Sequence, residues 1–297
     1  MKKNIFSWMT IVLMAFVVCA GFSACGDDDD ESGAETGGGD SSGAGTFQGA
    51  KRVFGDNLVK VITHSDTPSS VISRWEFTYD ANGYMTKAQE GTYSNNNDYE
   101  ISYSGNKITA KEYRNGEYHK TMTVTIGSNG FASKAVEEDG NWSYEFSYDN
   151  SGHLTRWADY RKGEINDEIL MTWQNGDVVS GKCNDSHPNT FAITYVADGQ
   201  SLITNDARLA DFDRVTGINI DVDEWLIYCG AIGFGPAHLP IASTDAYDDN
   251  SRKKVCQYSW EFDNQHRAIG LKKKTTQTHY DENGYSDIRD SEYTWTY

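Results

Sequence analysis

Five acids, Asp211, Asp213, Asp221, Asp223 and Glu224, crowd one stretch of the chain. Carboxylates at this density are the raw material of a calcium loop. The order is wrong for an EF-hand, because Val215 and Thr216 stand where a ligand and a glycine belong. The acids are therefore expected to cap helices and face solvent. Cys183 and His187 lack partners at zinc spacing. The seven histidines are scattered, each expected on the surface or in a core rather than as a base or ligand. No Gly-x-Ser-x-Gly elbow, His-Glu-x-x-His, phosphate-cradling loop or dinucleotide fingerprint occurs. A glycosidase needs only two carboxylates, and nothing in the spacing of the 44 acids picks out a pair. No metal and no cofactor is expected. A second constellation is basic and aromatic: Lys87, Lys134 and Arg156, with Trp75, Phe77 and Phe146. Cations held beside aromatic faces would attract an anionic or carbohydrate ligand. Whether these six meet depends on the strands that carry them.

Those strands come from an internal repeat of hairpins. Residues Tyr79, Tyr103, Ile126, Tyr148, Trp173 and Tyr195 lie 24, 23, 22, 25 and 22 residues apart. Each ends a run with large apolar residues at every second position, as in Trp75-Glu-Phe77-Thr-Tyr79. Alternation with period 2 reads as strand, and the longer period as two strands per repeat. Asp80-Ala-Asn-Gly83 and Asp149-Asn-Ser-Gly152 fit bulged type I turns. Gly105-Asn106 and Asn175-Gly176 fit tight two-residue turns. After Tyr195 the pattern lapses. Asp221-Val-Asp-Glu224 resembles a capping box, so a helix is expected over 221–232, ended by Gly233, Gly235 and Pro236. The strand pattern resumes at Tyr258 and runs to Tyr297.

The expected fold is all-β. A long antiparallel meander of 14 to 16 strands closes or curls into a large, water-soluble, barrel-like sheet. The helix at 221–232 would be its plug or lid. A membrane barrel is not expected, because Glu76 and Glu145 sit on one strand face where lipid would need an apolar band. With the bulge placed at the turn, Tyr79 opposes Met85 and Thr78 opposes Thr86. Phe77 then meets Lys87, Val124 meets Lys134, and Phe146 meets Arg156. That register brings the basic row onto the aromatic face. The plainer reading of the same residues is basic stems at the rim of a core.

The chain has 297 residues, 13% of them aromatic, and a formal net charge of −18. Such an acidic chain repels phosphate backbones, so nucleic acid is excluded as a partner. Lys2 and Lys3 precede an apolar run, Ile11 to Val18, of signal-peptide length. Phe22-Ser23-Ala24-Cys25 resembles the lipobox of bacterial lipoproteins, which makes Cys25 the expected lipid attachment site. The acidic run Asp27 to Glu31 resembles the surface-export signal of Bacteroidetes lipoproteins. Residues 1–24 are thus expected to be a signal peptide. Residues 25–50 would be an acylated, acidic, Gly/Ser-rich tether, and 51–297 the β domain. Seven acids and two bases fall before residue 51, which leaves 37 acids and 24 bases in the domain, net −13. Cys183, Cys229 and Cys256 are an odd number, so at least one thiol is free or pairs outside the chain.

The Tyr-Asp-x-x-Gly hairpins resemble YD-type repeats. Together with the lipobox, the acidic tether and the late Gly-Phe-Gly-Pro before Leu239-Pro240, residues 53–297 resemble a Bacteroidetes lipoprotein family of unknown function, described as porin-like in fold. The resemblance implies a barrel on a lipid anchor in the outer membrane and brings no activity with it. Three readings of function follow: a surface-exposed binding or adhesion module for a glycan or partner protein; a barrel-like carrier of a small anionic or amphipathic ligand; and, last, a glycan-active enzyme.

Overall fold

The computed structural model describes residues 46–67, 70–185, 187–280 and 284–297. The expected signal peptide 1–24, Cys25 and the acidic run Asp27 to Glu31 lie outside the described residues. Packing begins before Lys51, since Phe47 and Ala50 are already buried.

Sixteen strands close into one antiparallel barrel. The first eight are β1 (Val61–Thr67), β2 (Ser70–Tyr79), β3 (Met85–Thr92), β4 (Asn96–Ser104), β5 (Lys107–Arg114), β6 (Glu117–Ile126), β7 (Ala132–Glu137) and β8 (Trp142–Tyr148). Then come β9 (Leu154–Arg161), β10 (Glu164–Gln174), β11 (Asp177–Cys183) and β12 (Asn189–Thr194). Two short strands, β13 (Ile203–Thr204) and β14 (His238–Leu239), pair with each other outside the barrel sheet. The barrel resumes with β15 (Ala242–Tyr247), β16 (Arg252–Phe262), β17 (Ala268–His279) and β18 (Ser286–Thr296). Successive strands are neighbours except across one insertion, residues 195–241, which separates β12 from its partner β15. The seam is β1 against β18, with Val61 opposite Thr296.

Alternation divides the wall into two faces. Trp75 and Phe77 are buried, while Glu76 and Thr78 between them are exposed. The outward belt continues with Lys87, Gln89, Glu100, Lys111, Thr172 and Lys272, all exposed. It lacks the continuous apolar band of a lipid-facing barrel.

The turns explain the register. Asp80 Oδ1 accepts the N–H groups of Asn82 (2.8 Å) and Tyr84 (2.9 Å), and Asp149 Oδ1 accepts those of Ser151 (2.8 Å) and His153 (2.9 Å). Gly83 and Gly152 have φ +86° and +85°, where a side chain is strained. Tyr79 opposes Met85 and Tyr148 opposes Leu154, as expected. One step further on, the expected register fails. Thr78 opposes Lys87, Thr125 opposes Lys134, and Ser147 opposes Arg156. The extra residues are Thr86, Ser133 and Thr155. Each hydroxyl donates to the carbonyl oxygen of the strand it faces: Thr78 (3.3 Å), Thr125 (3.1 Å) and Ser147 (3.2 Å). A bulge that absorbs one residue reverses the facing of the next.

The insertion fills the barrel. After the single turn of α1 (Lys51–Phe54) ahead of the barrel, the helices of the insertion are also short, α2 (Phe212–Thr216) and α3 (Glu224–Tyr228). The single helix expected over 221–232 is therefore only five residues long. It ends at Cys229, followed by Gly230 at φ +85°. Beyond it, Ala231 is bound to the wall instead: its carbonyl accepts from the Ala132 N–H (2.8 Å) and the Tyr148 hydroxyl (3.3 Å). Phe212, Val215, Ile218, Trp225, Leu226, Tyr228 and Ile232 are buried against the inner wall. Phe77 stacks on Tyr228 at 5.1 Å and Phe54 on Tyr228 at 5.7 Å. Burying each such side chain contributes about 1.5–3 kcal/mol.

The two rims differ. One carries the turns at 80–84, 127–131, 149–153, 175–176 and 263–267. The filling is tied to it by Ala50 N–H to Gly83 O (3.0 Å), Phe234 N–H to Gly152 O (3.1 Å) and Ala237 N–H to Gly176 O (2.8 Å). We call it the closed rim. The opposite, open rim carries the turns at 93–95, 115–116, 138–141 and 162–163.

Candidate functional site

The bulges separate the basic row from the aromatic residues. Trp75, Phe77 and Phe146 point inward and are buried. Lys87 and Lys134 are exposed and Arg156 half-exposed, all on the outer face. There they meet acids on neighbouring strands. Lys87 pairs in register with Glu100, Lys134 approaches Glu145 at 3.6 Å, and Arg156 bonds Glu168 at 2.6 Å. No wet basic lumen forms from these six residues.

The acids of the insertion converge instead. Between the filling and the wall, toward the open rim, lies a cavity of about 240 Å³. Trp75 of β2 and Tyr144 of β8 supply aromatic wall; Glu90 of β3 and Lys120 of β6 supply charge. The insertion contributes Asp211, Asp213, Arg214 and the run Asn219–Glu224. Alternation puts Glu90 inward, two residues beyond Ala88 and opposite Trp75. The insertion then turns through α2 and α3, and their connection lines the mouth.

Both bases are committed within the protein. Arg214 pairs with Asp211 and Glu224, and these carboxylates hold its guanidinium firmly charged despite burial. Lys120 pairs with Glu137 and lies 3.6 Å from Glu112. Asp211 also caps α2, its Oδ1 accepting the Arg214 N–H at 3.1 Å. Asp213 lies 3.6 Å from Lys273, whose charge draws its carboxyl below the ordinary range against the opposing effect of burial.

Three groups keep unused capacity. Asp221 is exposed in the mouth, with no ion pair among the described residues. Among the described residues, the Asp223 side chain accepts only the Trp225 indole N–H, at 3.2 Å. Burial pushes the Asp223 carboxyl up to about 7; Glu112 and Glu224 add to the rise and Lys120 opposes it. Arg214 Nε, on a side chain 9% exposed, has no hydrogen-bond partner among the described residues.

Among the described residues, no three of His, Cys, Asp or Glu are placed to hold a metal ion. Cys183, Cys229 and Cys256 are free and buried. The expected capping role holds for Asp211. The solvated-loop expectation holds for Asp221, which is exposed, and fails for Asp223 and Glu224, which are partly buried against the cavity. The available signal was the alternation of these acids with Phe212, Val215, Ile220, Val222 and Trp225, a mixture that solvent alone does not call for. On the closed rim, a shallower cleft of about 510 Å³ runs between the turns at 127–131 and 149–152. Its walls are largely turn residues.

A sixteen-stranded meander, closed on itself and filled by its own insertion, is a porin-like barrel in architecture. The chain belongs to the family described as "Domain of unknown function (DUF4595) with porin-like fold", which matches residues 77–270. A solved porin-like protein from Bacteroides uniformis ATCC 8492 superposes with a TM-score of 0.61 at 14% identity. The match covers 85% of this chain and 100% of that one. A second, from Bacteroides vulgatus ATCC 8482, gives 0.49 at 13% identity, over 80% of this chain and 98% of that one. At these identities the first likeness establishes the fold alone. No curated protein matches the sequence.

Proposed function

We propose that this chain is a non-catalytic binding protein of the outer membrane, anchored by a lipid on Cys25 and displayed to the exterior. The observation that carries this reading is the filled interior. With Tyr228, Trp225 and Phe54 packed across the barrel and the closed rim bonded to the filling, solute has no path through. A barrel that neither conducts nor presents an apolar belt is better suited to holding a ligand than to passing one. The chain enters at the closed rim, where Ala50 bonds Gly83. The excess of carboxylates around the cavity disfavours an anionic cargo.

The test combines anchoring and conductance. Cells fed a fatty-acid analogue should label the wild type and not Cys25→Ala, and protease added to intact cells should cleave the wild type. The purified full chain should give no conductance steps in a planar bilayer. Equal labelling of both proteins, or stepwise conductance, would overturn the reading.

A further inference from the structure

We propose that the closed-rim cleft binds a phosphate ester on the guanidinium of Arg52. The site lies at the opposite end of the barrel from the acidic cavity and is independent of it. Arg52 is fixed in place. Its guanidinium lies 4.0 Å from the centre of the Phe131 ring and 5.8 Å from that of Phe234. Phe131 is held in turn by edge contact with Phe234 at 5.3 Å and by the Tyr148 ring at 5.4 Å. Gly130, at φ +78°, makes the space, because a Cβ there would collide with Arg52 Nη1. Three other arginines withdrawn from solvent, Arg156, Arg214 and Arg267, each hold a carboxylate. The Arg52 guanidinium has no hydrogen bond and no ion pair among the described residues. Burial draws its pKa below the ordinary arginine range, and no carboxylate offsets the fall. Its nitrogens stay within reach of solvent, and Arg52 lines the cleft of about 510 Å³. A cation partly stripped of water and left without a counter-ion is the complement of an anion.

The surroundings of Arg52 are donors. Ser128, Ser147, Asn150 and Ser151 line the same cleft, with side chains that make no hydrogen bond among the described residues. Asn129 spends its Oδ1 on the Phe131 N–H, at 3.0 Å, and keeps its amide N–H groups. Asp149 is the one acid among the lining residues, and its carboxylate is already occupied by the Ser151 and His153 N–H groups and the His153 ring. A carboxylate ligand has two oxygens, and the arginine fork uses both. A phosphate ester has three peripheral oxygens, so one remains for the hydroxyl and amide donors of the flanking turns. The volume falls within the roughly 300–1,000 Å³ of small-molecule sites, which leaves room for the esterified group. That group could be a soluble metabolite or the glycerol of a lipid headgroup.

The experiment is a phosphorus NMR titration of the full chain in a phosphate-free neutral detergent. The ligands are inorganic phosphate, glycerol phosphate and the short-chain lipid dihexanoyl phosphatidic acid, with glycerol and acetate as competitors. The wild type should shift the glycerol phosphate resonance saturably, with an affinity that weakens as salt rises. Arg52→Gln should weaken binding about tenfold or more, the loss expected for a charged hydrogen bond. Arg52→Lys, which keeps the charge without the fork, should recover part of it. Because Arg52 also packs on Phe131, a second variant probes the cleft without removing a hydrogen bond of the fold. Ser128→Ala combined with Ser151→Ala should weaken binding about threefold or more. Arg289→Gln, which removes an exposed charge from the outer wall, should leave it unchanged. Tighter binding of the lipid than of glycerol phosphate identifies a headgroup; equal or weaker binding identifies a soluble ester. Absence of any phosphorus shift overturns the proposal, as does equal binding by wild type, Arg52→Gln and the serine variant. An equal loss from Arg289→Gln, or displacement of glycerol phosphate by acetate at equal concentration, also overturns it.

Discussion

The two rims of one barrel use the same turn chemistry for different ends. At the closed rim, a Cβ on Gly83 would lie 2.6 Å from the Lys51 side chain, and one on Gly152 would lie 2.7 Å from Phe131 and 3.0 Å from Phe234. At the open rim, Gly116, Gly140 and Gly163 also have positive φ, but nothing stands within 4 Å of such a Cβ. Where the filling meets it, the closed rim is an interior surface; the turn at Gly105, on the same rim, has nothing within 4 Å of such a Cβ and is as free as the open edge. The open rim is a free edge, where residues answer to their own backbone and to solvent. Stability is concentrated at one end and unspent carboxylate capacity at the other.

The sharpest way to break this contrast is a matched pair of substitutions. Gly152→Val should destabilise by about 3–5 kcal/mol, combining backbone strain with overpacking. Gly140→Val meets the strain alone and should cost roughly 1–2 kcal/mol. Thermal unfolding should show a fall of about 10 °C or more for the first and a few degrees for the second. Equal falls would end the distinction between the rims.

A pH series sharpens the open-rim half. The folded-state pKa of Asp223, about 7, lies above that of an ordinary unfolded Asp, about 3.9. The folded state therefore binds the proton more tightly. The resulting penalty on stability is absent below about pH 4, grows through the interval, and is complete above about pH 7. Asp223→Asn should raise stability at about pH 8 by roughly 1–2 kcal/mol after screening by water in the cavity, read as a higher melting temperature, and leave it unchanged near pH 4. A gain of the same size at both pH values would contradict this placement of the carboxyl.

The outer face should respond weakly. Replacing Lys87, Lys134 and Arg156 together with Gln should shift stability by about 1–2 kcal/mol at most, since exposed ion pairs contribute roughly 0–1 kcal/mol each. The smallest effect belongs to the turn at Asp263. His266 there has φ +60°, the left-handed conformation that glycine holds at positions 83 and 152. His266 is exposed, so His266→Gly removes strain without removing a buried contact. It should stabilise by about 0.5–1 kcal/mol, the relief of strain being partly offset by the added freedom of the unfolded chain.

Much of the barrel was legible before any coordinates. Alternation at Trp75–Tyr79 and Tyr144–Tyr148 identified inward residues correctly, and the turn glycines identified the closed-rim hairpins. The basic row failed for one local reason. Thr86, Ser133 and Thr155 look like ordinary outward strand residues, and their bulges arise from a backbone offset that single-residue type does not encode. The cavity was hidden for a different reason. Asp211 to Glu224 meet Trp75, Glu90 and Tyr144 only after the insertion has folded into a barrel made by distant parts of the chain. Neither repeat spacing nor helix periodicity carries that information.

The pairing of Val61 with Thr296 sets an order of events. Local hairpins such as β4–β5 can form as soon as their residues exist, but the seam joins the first strand of the barrel to its last. Until β18 is present, β1 offers an unpaired strand edge, a template for pairing with other chains. Residues 205–241 pack Trp225 and Tyr228 against the inner face of the barrel wall. Assembly therefore proceeds from local hairpins to the seam. The last step is the slow one, because its contacts span nearly the whole domain. This late closure keeps the barrel open until the final strand arrives.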